Sequence, residues 1–250
     1  MYTKVKTAQE IENMCTSGKL LASVLHYLKP HVAPGITTKE LAVLASKELD
    51  KLGGKPAFLG YQGFPDVICI SVNDEVVHGI PGERVVLDGD IVGLDFGVDY
   101  KGMITDAAIS VVAGQSTGQT RRLLKGTEEA LMAGIHTLKD GVKTGDIGAA
   151  VERVMTQYSF GVVRDLVGHG VGHQVHEQPD VPNYGQKGTG DQLLAGMTIC
   201  IEPMSTVGEE GVYIDKDGWT IKTRDRSLSA HFEHTVLITE TGFEILTKVS

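Results

Sequence analysis

Four carboxylates sit where an apolar strand should reject them. Asp95 lies inside Ile91-Val92-Gly93-Leu94-Asp95-Phe96-Gly97-Val98, and Asp106 follows Met103-Ile104-Thr105. Glu202 lies in Thr198-Ile199-Cys200-Ile201-Glu202-Pro203-Met204, and Glu233 in His231-Phe232-Glu233-His234-Thr235-Val236-Leu237. A buried charge is costly unless something compensates it. One such residue reads as an Arg partner or a turn cap. Four are too many for internal Arg, because nearly all of the 23 Lys and Arg residues lie in polar stretches. A divalent metal cluster is the economical counter-charge, since oxygen-rich ligation can hold two ions that share carboxylates.

Histidines supply a second donor type. Gly168-His169-Gly170-Val171-Gly172-His173-Gln174-Val175-His176-Glu177 carries three His within eight residues. His169 and His173 are four apart, but the glycines between them disfavour a helix, and no HExxH is present, so this is not a zincin. In an extended chain, alternation faces His169 and His173 one way and His176 the other. A turn at Gly170 or Gly172 would instead bring His169 and His176 to one cavity. His78, in Val76-Val77-His78-Gly79-Ile80-Pro81, falls at a strand-to-turn junction. Each of these histidines, taken singly, reads equally as a hydrogen-bonded loop residue.

Helices and strands must position these groups. Thr7 with Glu10 forms a capping box ahead of Ile11, Met14, Cys15, Gly18, Ala22, Leu25 and Leu28 at helical spacing, until Pro30. Thr37 with Glu40 forms a second box, leading to Leu52 and Gly53-Gly54. A third helix is predicted from about 119 to 138, and a fourth from Thr144 to near Gly161. Strand signals rich in β-branched residues fall at 67–72, 91–98, 103–112, 197–201, 219–223 and 232–239. Their clustering favours an antiparallel or mixed sheet covered by helices. The halves also look alike. Leu28-Lys29, Val32 and Gly35 match Leu138-Lys139, Val142 and Gly145 at an offset of 110, and Asp95 matches Glu202 at an offset of 107. We read residues 1–250 as a single domain with pseudo-twofold symmetry.

Composition narrows the function classes. Over 250 residues, 23 basic against 32 acidic side chains give a net charge of −9, which argues against a DNA or RNA binder. There is no run of about 18 apolar residues, so no membrane span is expected. MYTKVKTAQEIENM carries no apolar core of a secretory signal. Cys15, Cys69 and Cys200 are odd in number and widely spaced, which fits reduced thiols in the cytosol.

Together these residues match a family pattern. The chain resembles type I methionine aminopeptidases, the short bacterial form, over essentially its whole length. The resemblance is carried by Gly60-Tyr61-Gln62-Gly63-Phe64-Pro65, Ser71-Val72-Asn73, Val76-Val77-His78-Gly79-Ile80-Pro81, Gly168-His169-Gly170, His176-Glu177, Ile201-Glu202-Pro203-Met204 and Glu233-His234-Thr235. Asp95 and Asp106 stand in order between them. The resemblance implies an α+β pita-bread fold: a curved antiparallel sheet with pseudo-twofold symmetry, backed by two helix pairs. It implies two divalent ions held by Asp95, Asp106, His169, Glu202 and Glu233. Asp106 and Glu233 would bridge, Asp95 would serve one ion, and His169 with Glu202 the other. His78 and His176 would contact the substrate around the scissile amide, and Glu202 would also shuttle a proton. Tyr61, Phe64, Cys69 and Trp219 match positions lining a methionine pocket, which is the favoured reading for Cys69 and Trp219 over plain core.

The implied activity is removal of the N-terminal methionine from nascent proteins when the second residue is small, by attack of a metal-bridged water or hydroxide on the scissile carbonyl. A set of one His and four carboxylates is hard, so Mn²⁺, Fe²⁺ or Co²⁺ suit it at least as well as Zn²⁺. A cytoplasmic monomer is expected, and its meeting with nascent chains, with a ribosome contact, follows from the family alone. Phe58, Val175, His173 and His231 depart from the common pattern, at positions where Cys, an aromatic residue, Arg and Gln are frequent. They leave the pocket's detailed shape open. Three rival readings compete: a prolidase-type enzyme, a metal-free binding protein on the same fold, and a type II enzyme. The prolidases carry a large extra amino-terminal domain. The 26 residues from His176 to Glu202 leave no room for the type II insert.

Overall fold

Both sequence-read capping boxes form. Thr7 and Thr37 each donate their backbone N–H to a carboxylate oxygen of Glu10 and Glu40, at 2.7 and 2.8 Å, and their hydroxyls accept the return bonds. These caps start α1 (Ala8–Leu28) and α2 (Thr38–Leu52) in the computed structural model, which describes residues 3–248. The outermost residues of the 1–250 span expected for one domain therefore lie outside the described residues. The second helix pair is α3 (Gly118–Ile135) and α4 (Thr144–Gln157). α3 stops before the expected residue 138, where the Thr137 hydroxyl donates to the Gly134 carbonyl at 2.7 Å and closes a turn.

The strands form one nine-stranded sheet and two three-stranded ones among the described residues. The path through the large sheet runs Lys55–Pro56, Ile91–Tyr100, Met103–Val112, Glu233–Ile238, Thr198–Ile201, Gly168–Gly170 and Glu177–Val181. Cys69–Val72 and Phe243–Ile245 pair alongside, and every pairing is antiparallel. At the centre, Met103–Val112 from one half lies beside Glu233–Ile238 from the other.

Period-two alternation divides the sheet's faces. Leu94 and Phe96 pack with Leu21, Leu28, Leu41 and Leu49 of the first helix pair. Ile199 and Ile201 pack with Leu131, Ile135, Ile147 and Val151 of the second. Each half thus buries its own cluster, which agrees with the duplication read from the sequence. The residues between, Asp95 and Cys200, must then point to the face the helices leave uncovered.

Four strands are shorter than expected, and two of them, Thr198–Ile201 and Glu233–Ile238, only by single end residues. The segment 67–72 pairs only over Cys69–Val72, and 219–223 only over Ile221–Thr223. Trp219 precedes the latter, in a turn where the Asp217 carboxylate accepts its backbone N–H at 2.9 Å.

Candidate active site

Sheet register brings the four carboxylates together. Ala108 pairs with Asp95 on one side and with Glu233 on the other. Asp106, two residues before Ala108, lies on the same face, opposite Gly97. Glu202 follows Ile201, which pairs with His234, the neighbour of Glu233. The methyl group of Ala108 leaves space between flanking side chains that a larger residue would fill. Thr235 fixes the crossing, accepting the Asp106 N–H and donating to the Asp106 carbonyl, both at 2.8 Å.

Two overlapping donor groups result. One oxygen each from Asp95, Asp106 and Glu233 lie within 4.8 Å of one another, and so do one atom each of His169, Cys200 and Glu233. His169 Nε2 stands 3.3 Å from Glu202 Oε1. His169 Nδ1 lies 2.9 Å from the Gly170 carbonyl, an acceptor only, so Nδ1 carries the proton and Nε2 presents a lone pair. That lone pair faces a carboxylate, which requires a cation or a proton between them.

The electrostatics favour the cation. Burial pushes all four carboxyls above their ordinary range, and for Asp95, Glu202 and Glu233 the neighbouring carboxylates push further. Burial, with help from His176, holds His169 neutral at about 3. Asp106 Oδ1, Glu233 Oε1 and His231 Nε2 are buried without a hydrogen-bond partner. Lys6 is the only buried Lys or Arg among the described residues, and it is spent on Glu177. Orphaned oxygens, a neutral imidazole and no internal cation are what a divalent site requires of its donors, so the residues fit metal ions.

A cavity of about 110 Å³ opens onto this cluster, lined by Asp95, Asp106, His169, Glu202 and Glu233 and by the expected Tyr61, Phe64, Cys69, His78, His176 and Trp219. Phe64 and Trp219 meet edge to face at 5.2 Å between ring centroids. Phe58, Gln62, Val77 and Val175 also line it, so two of the departures noted in the sequence do shape the pocket. This volume is well under the roughly 300–1,000 Å³ of sites for drug-sized ligands; it suits a single side chain.

The histidines sort themselves differently from simple alternation. His169 and His176 stand edge to face, 4.2 Å between centroids, and His176 Nδ1 lies 3.1 Å from the Tyr61 hydroxyl. His173 turns away, its Nε2 2.8 Å from Glu10 at the start of α1. The turn at the glycines, not the alternation, decides the outcome. His78 adopts φ 58°, unusual for a residue with a Cβ. The following Gly79 holds it there, donating its N–H to Ser71 Oγ at 3.1 Å and accepting from Ile70 N at 2.8 Å. A Cβ on Gly79 would meet the Ile70 carbonyl oxygen at 2.2 Å, so only glycine fits. Burial lowers His78 to about 4, leaving a neutral imidazole.

Sequence reasoning underused His231. Its Nε2 is 3.8 Å from Glu202 and 3.9 Å from Glu233, and burial holds it neutral at about 3. The one signal, a spacing of two residues from Glu233, marks a site only once the carboxylate cluster around it is known.

Comparison with known proteins agrees with this geometry. The profile of metallopeptidase family M24 matches residues 12–240. The chain belongs to metallopeptidase family M24, with the methionine aminopeptidases. The methionine aminopeptidase of Aquifex aeolicus is 44% identical to this M24 chain over 260 residues, covering all of both. The crystal structure of the Thermotoga maritima methionine aminopeptidase superposes with a TM-score of 0.97 at 44% identity, over 98% of this chain and 99% of that one. Prolidase from Pyrococcus furiosus has a TM-score of 0.80 at 24% identity and is covered over only 66% of its length, which shows the shared pita-bread fold alone. As a member of this family, the protein is a metal-dependent hydrolase. No helix among the described residues is long and apolar enough to cross a membrane.

Proposed function

We propose that this metallopeptidase removes the N-terminal methionine from peptides and nascent chains whose second residue is small. The observation that carries the reading is the carboxylate–imidazole cluster beside a small apolar cavity. Asp95, Asp106 and Glu233 would hold one divalent ion, and His169, Glu202, Asp106 and Glu233 a second. Mn²⁺, Fe²⁺, Co²⁺ and Zn²⁺ all suit this donor set. When bound, such ions supply Lewis acidity and a water acidic enough to act as nucleophile near neutral pH.

The protein's own groups do the rest. The cavity between Phe64, Cys69 and Trp219 receives the methionine side chain, whose thioether gains from aromatic contact. His176, neutral and steadied by the Tyr61 hydroxyl, donates to the carbonyl oxygen as it gains charge. His78 faces the scissile nitrogen. Glu202, its carboxyl pushed up by burial, receives a proton and returns it to the leaving amine. In this reading residues 1–250 act as a single catalytic domain, as a monomer in the cytoplasm with a ribosome contact. The support for those last points is the family resemblance and the three free cysteines.

The test is hydrolysis of Met-Ala-Ser, Met-Leu-Ser and Ala-Pro-Gly by chelator-treated protein, with and without Mn²⁺ or Co²⁺. We expect no activity without metal and selective release of methionine from Met-Ala-Ser with it. Equal turnover of Met-Leu-Ser would remove the second-residue rule, and preference for Ala-Pro-Gly would point to a prolidase-type activity.

A further inference from the structure

The segment ahead of α1 reaches the site through one buried ion pair. Lys6 Nζ lies 3.3 Å from Glu177 Oε2, and both side chains are fully buried. The ammonium also donates to Thr3 Oγ1 at 3.0 Å and to the Lys4 carbonyl at 3.2 Å, so its three protons are all engaged. The other Glu177 oxygen, Oε1, accepts the backbone N–H groups of His173 and Gln174 at 2.8 and 3.1 Å. Glu177 thus ties both ends of a short loop whose last residue is His176. The segment is itself stitched down: Thr3 N–H donates to the Gln178 carbonyl, and Lys6 N–H to the Gly196 carbonyl at 2.8 Å.

The glycines of the histidine run make room for this arrangement. A Cβ on Gly172, at φ +143°, would meet Lys6 Cε at 2.5 Å and Nζ at 2.9 Å. A Cβ on Gly170 would meet Thr3 Cβ at 2.6 Å. The loop is therefore shaped around the lysine and not merely adjacent to it.

We infer that Lys6 is a positioning residue for His176, its ammonium holding Glu177 so that the loop presents the imidazole to the substrate. The inference rests on the reading of His176 as the group that meets the substrate carbonyl. A purely structural role would not need a charge here. Buried ion pairs are often replaceable by apolar residues without loss of stability, and burial already pulls this ammonium below its ordinary value. What apolar packing cannot do is hold a carboxylate whose second oxygen orients two loop amides.

The experiment is a cycle of Lys6→Met, His176→Ala and the double variant, in metal-loaded protein acting on Met-Ala-Ser. Mn²⁺ affinity is measured by calorimetry, and the His176 ring signals by NMR on metal-free protein. Lys6→Met should lower kcat about tenfold to a hundredfold, the scale set by misplacing one catalytic group. KM and Mn²⁺ affinity should stay near wild type, the His176 ring signals should shift, and Lys6→Arg should recover part of the rate. In the His176→Ala background, Lys6→Met should cost nothing further. Unchanged kcat, an equal loss in the His176→Ala background, or weakened Mn²⁺ binding would each overturn the inference. If His176→Ala alone kept full kcat, the reading of His176 would be the part that fails. Should Lys6→Met not fold, Lys6→Met/Glu177→Gln removes both charges and carries the same comparison.

Discussion

Single residues divide here into groups that hold metal and groups that meet substrate, and the division is testable. Asp106 offers two oxygens, one of them orphaned in the buried cluster. Asp106→Asn replaces a charged two-oxygen donor with one weak acceptor, and should cost at least about a hundredfold in turnover, as for important catalytic groups generally. Metal content, read by elemental analysis, should fall with it. His173→Ala should leave both near wild type, because His173 faces Glu10 and not the cluster. His176→Ala should keep its metal and lose about 10²–10³ in kcat, the scale of one oxyanion donor. His169→Ala should lose metal affinity as well. Equal metal loss in the two histidine variants would make His176 a ligand and sink the division. The carboxylates were legible in sequence because a charge inside an apolar strand contradicts its surroundings. His231 was not, because a histidine contradicts nothing until its neighbours are known.

Elements were legible where their signals are local. The boxes at Thr7 and Thr37 start helices because side chain and backbone lie three residues apart, and the ten-residue strands Ile91–Tyr100 and Met103–Val112 were read nearly to their ends. Strands of two or three residues, such as Gly168–Gly170 and Ser229–His231, were missed, since their pairing partners are distant and their composition carries no period. The fate of His173 was hidden for the same reason, depending on Glu10, 163 residues away. Glu10 supports a prediction at this scale. The Thr7 backbone N–H first, then His173 and the Thr7 hydroxyl, lower its carboxyl from 4.5 to about 2. A depressed folded value means the contribution is complete above pH 4.5 and fades as pH falls towards 2. Glu10→Gln keeps a capping oxygen and removes the charge at the helix start, worth about 0.3–1 kcal/mol. Urea midpoints should therefore show the variant weaker at pH 6, with the gap narrowing by pH 3. A gap independent of pH would remove the electrostatic account.

At the scale of the whole molecule, two helix-backed halves place four carboxylates on the face the helices leave free. The duplication that builds this arrangement showed in the sequence as only a few offset identities. What the sequence could not reveal was that the two pairs converge, since Asp95 and Asp106 reach the centre by one pairing, and Glu202 and Glu233 by another. Bringing them together concentrates negative charge with no internal cation among the described residues beyond the committed Lys6. The fold therefore carries a mutual repulsion that a divalent ion relieves, so metal binding and global stability must be linked. Any ligand that binds only the folded state stabilises it by about 2.7 kcal/mol at a concentration one hundred times its Kd. For a chain of this length each kcal/mol moves Tm by roughly 2–4 °C, so one site should raise it by about 5–10 °C. Calorimetry on chelator-treated protein, titrated with Mn²⁺, should show that rise. In Asp106→Asn the apo Tm should be higher than in the wild-type apo protein, because one repelling charge is gone, and the metal-induced rise should shrink. If Mn²⁺ left the wild-type Tm unchanged at concentrations that restore activity, the carboxylate cluster would not be the repulsive centre described.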